Sequence, residues 1–125
     1  MRSFDFMNKT NLSIARAWFD AFNAHDLEKL LQLYHAEADH YSPKLKVLHP
    51  ETHGLIKGKE ALRNWWRDAF HRLPTLRYEM VSLTANDDRV FMEYKRHVQG
   101  EEVILVGEVL EIKNNAIIAS RVYHS

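Results

Sequence analysis

Across residues 10–24 apolar side chains recur at Ile14, Ala15, Trp18, Phe19 and Phe22, the spacing of one helical face, with Thr10 or Asn11 placed to cap it. Asp26 then precedes LEKLLQLY, where Leu27, Leu30, Leu31 and Tyr34 repeat the spacing. Asp26 is therefore read as the cap of a second helix, and residues 23–25 as the corner of a helical hairpin. Residues 36–42 form a short strand that ends at Pro43, a residue that holds its predecessor extended. Residues 43–58 carry two prolines, two glycines and no period, which predicts a long loop. A third helix over about 59–73 sets Ala61, Leu62, Trp65, Trp66, Ala69 and Phe70 along a broad stripe and stops at Pro74.

Beyond Pro74 the period changes. Residues 76–84, 89–98, 102–112 and 116–124 are rich in Val, Ile, Leu, Tyr and Phe, and are separated by AsnAspAsp, GlnGly and AsnAsn turn signals. They predict four strands in an antiparallel meander. Parity sorts their faces: Val90, Met92, Tyr94, Arg96 and Val98 share one side, as do Ile104, Val106, Glu108, Leu110 and Ile112. Each of these apolar rows contains one charged residue. The opposite rows hold Phe91, Val103, Leu105 and Val109, an apolar outer face that predicts a homodimer through the open side of the sheet. Helices first and strands afterwards, with no βαβ alternation, indicate an α+β domain whose helices cover one face of a curved sheet.

Length and composition restrict the partners. With 125 residues, 46% of them hydrophobic, the chain supports one core, so a single domain over 1–125 is expected, residues 1–9 forming a flexible N-terminus. Seventeen basic residues balance seventeen acidic ones and are mixed along the chain, which argues against nucleic acid as a partner. The absence of cysteine excludes a disulfide framework, a thiolate zinc site and a thiol nucleophile. No apolar stretch approaches signal-peptide or membrane-spanning length, so the expectation is a cytoplasmic protein that does not use a membrane.

Candidate chemistry concentrates on two segments. Glu108 lies between Val106 and Leu110 on an inward row, where desolvation raises a carboxyl pKa toward the range of a general acid or base. The other reading of Glu108 is a carboxylate paired with Arg96, and both stand open. In DHYSP, residues 39–43, His40 and Ser42 share a face, so His40 is a candidate proton shuttle and Ser42 a candidate orienting group for a ligand carbonyl; alternatively both are polar cavity wall. Ser42 lacks the GxSxG context of a nucleophile. The HPETH string, residues 49–53, does not have HExxH spacing, and Pro50 breaks a helix that would align its histidines, so no metal site is predicted. Trp18, Trp65, Trp66 and Phe70 are either core or the lining of an aromatic pocket. Arg121 and His124 are assigned to the dimer face or solvent.

The order of helical hairpin, short strand, loop, third helix and bent meander resembles the nuclear transport factor 2-like fold. The strings WFDAFNAHDLEKLLQLYHAEADHYSP over 18–43, GLIKGKEALRNWWRDAF over 54–70 and GEVLEIKNNAIIASRVYH over 107–124 are similar to its SnoaL-like and ketosteroid-isomerase-like branch. The resemblance implies a cone-shaped curved antiparallel sheet with three N-terminal helices covering its concave face, a cystatin-like α+β roll. It implies a small, largely apolar ligand in the open end and chemistry without a cofactor. At the position of the isomerases' general-base aspartate, directly before a proline, this chain has Ser42, which cannot abstract a carbon-bound proton. Trp18 takes the place of the oxyanion-holding tyrosine and offers an N–H donor without an acidic proton. Glu108 falls where the isomerases carry a protonated aspartic acid and the polyketide cyclases their base. The Asp-Arg-Asp set of limonene epoxide hydrolase is incomplete, because Arg96 and Glu108 are joined at the final strand by Val122 and not by a carboxylate.

The expectation that follows is a SnoaL-like protein binding a small apolar carbonyl compound, acting as a cofactor-independent isomerase or cyclase. Its catalytic candidates are Glu108 and His40, and its ligand-binding candidates Trp18, Ser42, Arg96, Tyr94 and Trp65. The alternative is a non-catalytic binding or oligomerisation module on the same fold.

Overall fold

The computed structural model describes the backbone of residues 2–124 and the side chains of 7–124. Helix α1 covers Arg2–Asn23. It runs through the stretch for which the sequence indicated a flexible tail, because nothing between Arg2 and Thr10 breaks a helix; Met1 lies outside the described residues. Asn11, Ala15, Trp18, Phe19 and Phe22 are buried along one side of it, the face that the apolar spacing marked. His25, in the left-handed region with φ 53°, turns the chain, and Asp26 accepts a hydrogen bond from the Lys29 amide at 3.1 Å to start α2, Leu27–Leu31.

Helix α2 is one short turn and a half, not the longer helix of the LEKLLQLY pattern, because strand β1 already begins at Tyr34 and runs Tyr34–Tyr41. Ser42 then caps α3, Pro43–Leu48, by accepting from the Lys44 amide at 3.2 Å, with Pro43 in the first helical turn. A 3₁₀ turn, Pro50–Thr52, and strand β2, Leu55–Lys57, follow. The segment predicted to be a loop is thus an ordered excursion that returns to β1, pairing Ile56 with His40. Gly54, at φ 86°, permits that return: a Cβ there would stand 2.8 Å from the Tyr41 ring. Helix α4 covers Lys59–Arg72.

The meander follows as β3 (Arg77–Ala85), β4 (Arg89–His97), β5 (Ile104–Lys113) and β6 (Ala116–Tyr123). Together the strands form one sheet in the order β2-β1-β6-β5-β4-β3. All neighbours are antiparallel except β1 and β6, which run parallel, so the sheet is mixed where an antiparallel one was expected. Strand β1 enters from the helical hairpin and lies beside β6, and β2 and α4, which follow it in the chain, pack back on it. Helix α1 packs on β3 and β4, and α4 on β1 and β2.

The parity of the strands holds. Val90, Met92, Tyr94 and Arg96 of β4 and Val106, Glu108, Leu110 and Ile112 of β5 are all buried against the helices. The registers Met92↔Glu108 and Tyr94↔Val106 make these a continuous inner row. Toward Val90 and Ile112 the row is packed solid with Ile117 and Leu30. Toward Arg96 it opens.

Candidate active site in the open end of the sheet

A cavity of about 360 Å³ occupies that open end. Its wall takes Trp18 and Phe22 from α1, Trp65 and Trp66 from α4, Tyr78, Tyr94 and Arg96 from β3 and β4, and Val106, Glu108 and Val122 from β5 and β6. His40 and Ser42 line it from the end of β1, and Lys44 and Glu101 stand at its border. The volume is that of a pocket for a small organic molecule. Every candidate site residue taken from the sequence therefore borders one cavity. What each of them does there is less uniform.

Glu108 is 1% exposed. Burial pushes its pKa up to about 7, partly offset by a hydrogen bond from Tyr94. The Tyr94 hydroxyl donates to Oε1 at 2.6 Å, and Oε2 is buried with no hydrogen-bond partner among the described residues. The alternative in which Arg96 pairs with Glu108 is not what the side chains do. Arg96 Nη1 donates to Oε1 of Glu101 at 2.7 Å, because the loop after β4 brings Glu101 back over the end of its own strand. Tyr94, taken from the sequence as a ligand contact, is the residue that holds the carboxyl.

A second chain of hydrogen bonds joins the wall residues Trp18 and His40 through Tyr34 and Ser120, which do not line the cavity. Trp18 Nε1 donates to the Tyr34 hydroxyl at 3.1 Å, Tyr34 donates to Ser120 Oγ at 3.0 Å, and Ser120 Oγ lies 2.7 Å from His40 Nδ1. An indole N–H can only donate, so Tyr34 accepts from it and passes its own hydrogen to Ser120. Ser120 then has one hydrogen to give and one acceptor position free, so its contact with His40 Nδ1 is made by either ring tautomer. Burial keeps His40 neutral, lowering its pKa to about 4. A histidine with its pKa lowered so far does not shuttle protons near pH 7 as an imidazolium.

The same chain corrects the role given to Trp18. Its N–H is engaged by Tyr34, so Trp18 contributes a ring to the wall and not a donor to a ligand oxygen. Its ring stacks on Phe22 at 5.2 Å, and Tyr78 stacks on Tyr94 at 4.1 Å, so the apolar side of the cavity is a run of aromatic faces. Ser42 likewise uses its oxygen on the Lys44 amide as a helix cap. Trp65 is half-buried and borders the cavity.

Three participants escaped the sequence reading. Tyr34 was placed in a helical stripe, and Ser120 was unremarked; they are 86 residues apart and nothing local links them. His124 was assigned to the dimer face or solvent, yet it lines the cavity. Its parity with Ser120 and Val122 on the final strand was the signal available. Arg121, by contrast, pairs with Glu111 at 3.2 Å away from the cavity. His49 and His53 flank the 3₁₀ turn, and among the described residues no group of three or more His, Asp or Glu gathers as a metal site would. No helix among the described residues is long and apolar enough to cross a membrane.

Comparison with known proteins agrees with this architecture. A SnoaL-like protein of unknown function from Burkholderia thailandensis superposes with a TM-score of 0.84 at 27% identity, over 94% of this chain and 95% of that one. A protein provisionally called a polyketide cyclase from Sinorhizobium meliloti (TM-score 0.76, 17% identity, 89% and 94% coverage) shares the fold. So does one provisionally called a ketosteroid isomerase from Kribbella flavida (TM-score 0.78, 15% identity, 94% and 79% coverage). No curated protein sequence matches. The profile of the SnoaL-like domain matches residues 15–119, nearly the whole of the helices and sheet described above, and the chain belongs to that family.

Proposed function

We propose that this protein binds a small, largely apolar carbonyl compound in the open end of the sheet and moves a proton on it without a cofactor, as an isomerase or a cyclase does. The observation that carries the reading is Glu108: a buried carboxyl with one oxygen held by Tyr94, the other without a partner, and a pKa of about 7. Near neutral pH such a group is present in both forms, so it can take a proton and give it back. Glu108 removes a proton from the carbon beside the carbonyl, and the C–H electron pair moves to the carbonyl oxygen to give an enolate. In this reading His40, kept neutral by burial, takes the Ser120 hydrogen on Nδ1, carries its own on Nε2, and is the donor on the same cavity wall that holds the developing negative charge. Return of the proton at another carbon gives isomerisation. Attack of the enolate carbon on a second carbonyl gives cyclisation.

The test is deuterium uptake from D₂O at the carbon beside the carbonyl of 4-phenylbutan-2-one, followed by proton NMR. The wild-type protein accelerates exchange, and Glu108→Gln reduces the acceleration by about 10²–10⁴-fold. Equal exchange by both proteins overturns the role of Glu108. Binding of the ketone with no exchange by either favours the non-catalytic reading, which the internal engagement of Trp18 and Ser42 supports.

The outer face of the sheet supports self-association. Phe91, Leu105 and Tyr123 are exposed on this face, one each on β4, β5 and β6. Lys95, Arg89 and Arg121 alternate around them with Glu93 and Glu111, a balance of signs that suits a second copy turned about a two-fold axis.

A further inference from the structure

Arg96 stands where β4 reaches the open end of the cavity, 8% exposed, which is an unusual place to leave a guanidinium with weak compensation. Among the described residues its hydrogen-bond partner is Glu101 alone, through Nη1. That partner belongs to the rim: the Glu101 side chain is 43% exposed against 10% for Arg96. Glu101 is a single carboxylate on a turn, held by Arg96 first and by the charge of Lys44 second. Arg72 also borders the cavity, but it is bonded to Asp68 at 2.7 Å. Lys44 and Arg96 therefore face one carboxylate, and the mouth of the cavity keeps a positive excess.

The far end is different. Arg96 is opposite Ile104 across β4 and β5, and Glu108 stands four residues further along β5, roughly 13 Å of strand. The wall between is aromatic and apolar, with Tyr94 and Val106 on the sheet and Trp18 and Trp66 on the helices. A planar guanidinium binds a carboxylate through two parallel N–H bonds, and it does so more strongly where water is displaced.

We propose that the cavity is a site for a small amphiphilic carboxylate: its carboxylate takes the place of Glu101 on Arg96, its apolar body lies along the tryptophans, and its far end reaches Glu108. Glu101 then acts as an internal stand-in for the ligand, holding Arg96 while the cavity is unfilled and passing into solvent, where half of it already lies, when the ligand enters. This deepens the proposed function, because it rests on the same cavity and states which class of carbonyl compound enters it: one with an acid group remote from the reacting carbon.

The chain's three tryptophans all line the cavity, so its intrinsic fluorescence reports filling. The experiment titrates the full chain with a series of ω-phenylalkanoates of increasing length, each beside its primary amide. The acids bind about tenfold or more tightly than their amides, a difference of about 1.4 kcal/mol. Glu101→Gln, a change on the half-exposed rim that leaves the core intact, tightens the acids severalfold and leaves the amides unchanged. Arg96→Met removes the preference between acid and amide, its fold checked by circular dichroism. Equal binding of acid and amide, or acids unaffected by Glu101→Gln, overturns the carboxylate proposal and leaves the ligand cavity standing. Failure of every compound to bind overturns the cavity reading as well.

Discussion

Tyr94 donates its phenolic hydrogen to one oxygen of Glu108 at 2.6 Å, and the other oxygen of that carboxyl is buried without a partner among the described residues. A half-satisfied carboxyl in a protein interior is tolerated when it can be protonated. Stability should therefore carry the signature of its titration. The Glu108 pKa is raised from 4.5 to about 7 on folding, so the folded state holds the proton more tightly than the unfolded one. Its contribution is fully present below about pH 4.5 and is lost as the pH rises through 7, a change of at most about 3 kcal/mol. Glu108→Gln keeps an acceptor for Tyr94 and abolishes this loss, which urea unfolding at a series of pH values measures. A wild-type stability that does not fall between pH 5 and 8 relative to the variant would contradict the raised pKa.

His40 should act with the opposite sign. Its pKa falls from 6.5 to about 4 on folding, so its contribution is present above about pH 6.5 and is lost as the pH drops through 4. Between about pH 4.5 and 6.5 the two residues pull stability in opposite directions and largely cancel. His40→Asn retains an acceptor for Ser120 and removes the titration, so in that variant the decline caused by Glu108 emerges alone across the same range. The same urea series decides it: a profile for His40→Asn parallel to wild type would exclude a depressed His40.

The proposed role of His40 requires a tautomer that can be seen directly. In ¹⁵N-labelled protein at neutral pH, His40 should show an unprotonated Nδ1 and a protonated Nε2. Tyr34→Phe leaves the buried Trp18 N–H without an acceptor and Ser120 without its donor. Stability should fall by about 1–3 kcal/mol. Protonated Nδ1 in the wild-type spectrum would reverse the His40–Ser120 contact and remove His40 as the Nε2 donor of the proposed function.

Ser42 is predicted to matter for α3 more than for chemistry. Ser42→Ala removes the cap on the Lys44 amide and should reduce stability by about 1 kcal/mol, while Ser42→Asp, another capping residue, should not. If alanine and aspartate behave alike in thermal unfolding, the cap is not what the serine provides.

Leu105 is 59% exposed near the start of β5 on the outer sheet face, opposite Lys95. Leu105→Glu places a charge in the apolar part of the proposed two-fold contact. Sedimentation equilibrium should show a dimer for wild type and a monomer for the variant, with circular dichroism unchanged. A wild-type monomer at micromolar concentration would rule out that interface.

The limits of the sequence follow from the range of the forces involved. Helical and strand periods are local, so the order of the long elements, the Asp26 cap and the inward row of Tyr94, Arg96, Val106 and Glu108 could all be read along the chain. Glu108 was recognisable because a carboxyl inside an alternating apolar row has nowhere else to go. Short elements were harder. Helix α3 and strand β2 are too brief for a period, and Ser42-Pro43 was read as a stop when a capping residue followed by proline is also a start.

The pairing of side chains was decided only in three dimensions. Arg96 chose Glu101 over Glu108 because a loop folded back on its strand, and Tyr34 met Ser120 because β6 returned to lie parallel to β1. The free oxygen of Glu108 and the cavity lining depend on those meetings. Sequence alone determined which residues face inward, since that needs only the backbone's own period. Tertiary structure decided which of them satisfy one another and which are left for a ligand, since hydrogen bonds between residues 86 positions apart exist only once the sheet has closed.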